Sequence, residues 1–73
     1  MSKLPVVSGW TCVKALEQIG FYLDHQKGSH MIVKRDSPKI TMAVPNHKEL
    51  RPGTLRAIIN QAGLTVEEFI ELL

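Results

Sequence analysis

Phe21-Tyr22-Leu23-Asp24-His25-Gln26, Ser29-His30-Met31-Ile32-Val33-Lys34-Arg35 and Ile40-Thr41-Met42-Ala43-Val44 are three strand-like runs that follow one another almost without interruption. Lys27-Gly28 supplies a turn after the first run, and Asp36-Ser37-Pro38-Lys39 is strong turn chemistry after the second. The third run alternates large with small or polar residues until Pro45, which has no N–H to offer a ladder, stops it. Turns this short predict a three-stranded antiparallel meander. Helices must cover one face of such a sheet if the chain is to have a core.

The flanking segments provide those helices. Ser8 can accept N–H bonds from a first turn, and Trp10, Val13, Leu16 and Ile19 then recur at three-residue steps with Cys12 and Ala15 beside them. That stripe predicts a helix with Trp10 and Cys12 in its core face, ended at Gly20, while Lys14, Glu17 and Gln18 fall on the wet face. On the other side, Asn46 to Arg51 is a polar connection, and Pro52 suits the first turn of a second helix. Leu55, Ile58, Ile59 and Ala62 form that helix's apolar face before Gly63 closes it. Thr65-x-x-Glu68 has capping-box spacing for a short last helix, with Val66, Phe69, Ile70 and Leu73 expected on its buried side. The predicted order is α-β-β-β-α-α, an α+β arrangement over one domain, 1–73, in the layout of a double-stranded RNA-binding domain. Several unrelated small proteins share that layout, so it does not decide function.

Bulk properties narrow the function classes. Seventy-three residues, 44% of them hydrophobic, suit one small core and leave no room for a deep, enclosed cofactor site. The single cysteine, Cys12, excludes an internal disulfide framework and a cysteine-based zinc cluster. The longest apolar stretches are too short to cross a bilayer, and Met1-Ser2-Lys3-Leu4-Pro5 lacks the apolar core of a signal peptide. A cytoplasmic protein without membrane association is the expectation. Net charge is only +2, but residues 25–60 carry seven cations against the two anions Asp36 and Glu49, together with His25, His30 and His47. A basic middle of this kind suits a polyanion such as RNA, and equally suits a solvated surface whose sign happens to cluster.

His30 is the leading candidate for chemistry. An unperturbed histidine titrates near pH ~6.5, so it can take and give a proton at neutral pH, and sheet backbone holds it more firmly than a loop would. The residues alone also admit an idle, partly exposed strand histidine. Around it, Lys27 could hold a phosphate, the Gly28 backbone could approach one closely, and Ser29 could orient either group. Direct contact between Ser29 and His30 is disfavoured if both lie in a strand, because neighbours there point to opposite faces. Lys34 and Arg35 are further candidates for RNA contact. His47, in the connection after Pro45, is a possible second acid/base group, and otherwise caps a helix or meets a partner. His25 reads as a surface strand residue, and a metal site built from the three histidines lacks a carboxylate or cysteine at helpful spacing. Trp10 and Tyr22 could stack on bases, with Trp10 expected in the core and Tyr22 left open.

The same residues carry a resemblance. Leu4-Pro5 with Ser8-Gly9, Leu16-x-x-x-Gly20-Phe21, Gln26-Lys27-Gly28-Ser29-His30, Val44-Pro45-x-His47, Glu49-Leu50-x-Pro52-Gly53-Thr54-Leu55 and Gln61-Ala62-Gly63-Leu64 with Thr65-x-x-Glu68-Phe69 together resemble HicA-type toxins of HicAB toxin–antitoxin pairs. The resemblance implies a fold like that of double-stranded RNA-binding domains and cleavage of mRNA without metal or cofactor. It also implies inhibition by a HicB-like antitoxin, and marks His30 as the catalytic histidine. The alternative is a non-catalytic RNA-binding module of the same fold. One departure is the almost neutral first third, where family members are more basic and this chain has Trp10.

Overall fold

A computed structural model describes residues 3–73; the Met1-Ser2 part of the signal-peptide reading lies outside them. The element order is α1 (Gly9–Glu17), β1 (Tyr22–Lys27), β2 (His30–Asp36), β3 (Lys39–Pro45), α2 (Pro52–Gln61) and α3 (Val66–Glu71). The strands form one antiparallel sheet in the order β1-β2-β3, so β2 is the central strand, held by ladders on both sides. This is the α+β meander with helices expected from the turns, and it is compatible with the fold of HicA-type proteins.

Local chemistry accounts for the element ends. The Ser8 hydroxyl accepts from the Thr11 N–H at 3.1 Å, and Gly20 adopts a φ of +96° beyond the end of α1. Pro52 starts α2, where its missing N–H has no helical partner to lose. Thr65 and Glu68 close a reciprocal capping box on α3: the Thr65 hydroxyl accepts from the Glu68 N–H at 3.1 Å, and a Glu68 carboxylate oxygen accepts from the Thr65 N–H at 2.8 Å. A six-residue helix has no independent stability, so α3 depends on that box and on the fully buried Phe69.

Met31 and Val33 of β2 and Met42 and Val44 of β3 face the helices, where they meet Cys12, Val13, Leu16, Leu55, Ile58, Ile59 and Phe69 in one apolar core. The alternate residues, His30, Ile32 and Lys34 of β2 with Thr41 and Ala43 of β3, lie on the uncovered face.

Three expected core positions differ. Trp10 is 44% exposed, whereas Gly9, Cys12, Val13 and Leu16 are buried. The inward stripe of α1 therefore begins at Gly9, whose missing side chain lets the helix touch β3, and Trp10 falls one residue around the helix from that contact. In α3 the inward line is Val66, Phe69 and Leu72, so Ile70 and Leu73 lie outside it at 36% and 52% exposure. Helix α3 is too short to present a second line.

Candidate active site

The β1–β2 hairpin turns on two residues, Gly28 and Ser29, and only Gly28 has positive φ, +60°. A positive φ at the first central residue alone is the type II′ pattern, whose twist matches that of paired strands. No atom lies within 4 Å of where a Cβ on Gly28 would be, so the backbone there faces open space. The turn tip is tied down from the residue just after the third strand, because the Asn46 N–H donates to the Ser29 carbonyl at 2.7 Å. Ser29 is thus a turn residue rather than the first residue of the strand.

His30 opens β2 and is exposed. It pairs with Lys27 on one side and with Pro45 on the other, so its backbone is held from both edges. Lys27, Gly28, His30, Ile32 and Ala43 line an open hollow of about 420 Å³ on the uncovered face. Ala43 sits directly across from Ile32, and its small side chain leaves the hollow its depth. An apolar floor with an imidazole, an ammonium and a bare glycine backbone around it can accept a sugar–phosphate linkage.

Lys34 continues the same face, opposite Tyr22 and Thr41. Four residues along a strand place it about 13 Å from His30. Its Nζ lies 3.4 Å from an Asp24 carboxylate oxygen. At this end the Tyr22 hydroxyl donates to Asp36 at 3.2 Å. Desolvation and the Asp36 carboxylate hold the phenol above its ordinary range.

Arg35 does not join this group. Its parity in β2 turns it to the helix side, where its guanidinium lies 4.6 Å from the centre of the Phe21 ring and donates to the Ile19 carbonyl at 3.4 Å. His47 is exposed, its carbonyl accepts the Gly9 N–H at 2.9 Å, and it is not among the residues lining the hollow.

One feature of the face was missed by sequence reasoning. The β1–β2 register shifts between Leu23, which pairs with Val33, and His25, which pairs with Ile32, so Asp24 is an extra, unpaired residue. The His25 Nδ1 lies 2.6 Å from the Asp24 carboxylate. That hydrogen bond, with help from the Lys34 charge, holds the Asp24 carboxyl below the usual carboxylate range. Two successive polar residues interrupting the alternation after Leu23 were the signal for a bulge.

Among the described residues, no helix is long and apolar enough to cross a membrane. No group of three or more His, Cys, Asp or Glu side chains among them gathers as metal ligands would. Among curated proteins nothing matches the chain. A family model described as "HicA toxin of bacterial toxin-antitoxin" matches residues 11–64, a span from α1 through the Gly28-Ser29-His30 turn and β3 to the end of α2. With most of its length inside that match, the chain belongs to the HicA family of toxins from bacterial toxin–antitoxin systems.

Proposed function

We propose that this toxin is an endoribonuclease that cleaves mRNA by metal-independent transesterification, with His30 transferring a proton. The observation that carries the reading is the placement of His30: exposed, at the start of the central strand, directly across from Lys27 and next to the turn with the open Gly28 backbone. In this reaction the ribose 2′-OH attacks the adjacent phosphorus, leaving a 2′,3′-cyclic phosphate and a 5′-OH. The nucleophile is already part of the substrate, so proximity is built in. The protein must remove one proton, supply another, and stabilise the added charge. Lys27 and the Gly28 N–H are suited to the charge, while Ile32 and Ala43 pack against the sugar. Ser29 shapes the turn, and Lys34 meets the RNA further along the strand. Arg35, committed to Phe21 and Ile19, is not part of this surface. The toxin's cognate antitoxin, HicB-like in this reading, silences it by covering the same sheet face.

Long RNA incubated in EDTA with wild-type protein and with His30→Ala tests the reading. Wild type is expected to yield 5′-OH fragments, and the variant to lose on the order of 10²–10⁴-fold in rate while keeping its circular dichroism. A folded wild type that binds RNA but never cuts it would leave a non-catalytic RNA-binding module instead. Fragments from both proteins at equal rates would remove His30 from the chemistry.

A further inference from the structure

Asp24 and His25 lie outside the motif stretches that mark the family resemblance, yet the structure joins them into a unit on the reactive face. In a regular strand, neighbouring side chains point to opposite faces. The bulge removes that constraint: His25 pairs with Ile32, Asp24 is the unpaired extra residue, and the Asp24 carboxylate reaches His25 Nδ1 at 2.6 Å and Lys34 Nζ at 3.4 Å. Lys34 belongs to the uncovered face, so Asp24 and the ring it holds are on that face too. His30 is two residues from Ile32 on the same face of β2, which makes His25 and His30 diagonal neighbours, roughly 7–8 Å apart at the backbone. Lys27 completes the triangle, two residues beyond His25 on β1 and directly across from His30.

The hydrogen bond also sets the tautomer. An ionised carboxylate only accepts, so the ring must donate through Nδ1–H, and Nε2 is left with its lone pair. A histidine oriented by a carboxylate in this way is arranged as a base, with the carboxylate stabilising the charge that the ring acquires. The His25 side chain is 52% exposed, so Nε2 is open to substrate.

We infer that His25 is the general base of the cleavage reaction, that Asp24 is its positioning residue, and that His30 is the general acid. This rests on the ribonuclease reading above. His25 Nε2 takes the proton of the 2′-OH as the O2′–P bond forms. The P–O5′ bond breaks, and the His30 imidazolium gives its proton to the departing O5′. The step leaves His25 protonated and His30 neutral, and exchange with water restores both. The charged and titratable groups facing His25 are Asp24 and Lys27 on its own strand and His30 and Lys34 on β2.

The test compares a single-stranded RNA oligonucleotide that wild type cuts with its counterpart carrying sulfur at the bridging 5′ position. A thiolate leaves without being protonated, so the sulfur substrate needs the base but not the acid. His25→Ala is expected to lower kcat on the order of 10²–10⁴-fold on both substrates, whereas the loss in His30→Ala is largely repaired by sulfur. Asp24→Asn is expected to lower kcat less, without changing KM. His25→Gln serves as a second variant should the alanine protein misfold. Wild-type kcat in both folded His25 variants would overturn the inference, as would a raised KM with unchanged kcat. Repair of His25→Ala by sulfur would equally overturn its role as base. A folded wild type that cuts no RNA would instead bring down the ribonuclease reading on which the inference stands.

Discussion

A Cβ on Gly9 would lie 2.0 Å from the carbonyl oxygen of Pro45, so the first turn of α1 rests on the backbone of β3. Pro45 is the residue paired with His30, and the Gly9 N–H donates to the next-but-one carbonyl, that of His47, at 2.9 Å. The helix thereby braces the end of the sheet that carries the candidate catalytic histidine. Gly9→Ala forces a methyl group against the Pro45 backbone, with no flexible side chain to yield. Overpacking of this kind costs about 1–3 kcal/mol, a large part of the stability of a small domain. The midpoint of urea unfolding is expected to fall accordingly. An unchanged midpoint would show that α1 does not make this contact.

Lys27 and Arg35 are both cations on the β1–β2 hairpin, but they face opposite sides of the sheet. Lys27 lines the hollow, while Arg35 covers Phe21. In a His30→Ala background that prevents cutting, Lys27→Ala is expected to weaken single-stranded RNA binding. It should also reduce the slope of log affinity against log salt by about 0.7, the share of one phosphate contact. Arg35→Ala is expected to leave that slope alone and to lower stability by about 1–2 kcal/mol through lost stacking and stem packing. Fluorescence anisotropy over a salt series and urea unfolding measure the two effects. The opposite pattern would exchange the two roles.

Elements were legible where a residue type leaves the backbone few choices. Gly20, Gly28 and Gly63 all adopt positive φ, and Ser8 and Thr65 cap the helices that their spacing announces. The face of His30 was not legible, because both alternating sets of β2 are partly apolar: His30, Ile32 and Lys34 against Met31, Val33 and Arg35. Only the packing of Met31 and Val33 under the helices separates them. Arg35 carries a charge in either reading, and its aromatic partner is fourteen positions away in the chain. The pairing of Asp24 with His25 depends on strand register, which neither residue reveals by itself.

Cys12 is fully buried, and desolvation pushes its thiol up to about 11 from an ordinary value of 9.0. Only the thiolate is nucleophilic, so a disulfide reagent at pH 8 is expected to label the unfolded protein quickly and the native protein only as it opens. The same shift predicts a direction for stability. Between pH 9 and 11 the unfolded thiol loses its proton while the folded one keeps it, so this group's contribution falls as pH rises. The slope approaches about 1.4 kcal/mol per pH unit. Cys12→Ala, less stable throughout because of the lost packing, should lack that component. Rapid labelling of the native protein, or equal slopes in the two proteins, would place the thiol in contact with water.

Trp10 is the only tryptophan, so its emission reports on one site. Helix α1 turns Gly9, Cys12, Val13 and Leu16 inward, and this register leaves the indole of Trp10 44% exposed beside the first turn. Native fluorescence is therefore expected at long wavelength, with acrylamide quenching close to that of the urea-unfolded chain. Trp10→Ala should cost little stability, well below the ~3–5 kcal/mol of removing a core tryptophan. A blue-shifted, quencher-protected emission with a large loss on substitution would require α1 to be rotated by most of one residue. Gly9 would then leave Pro45, and the brace behind His30 would be lost.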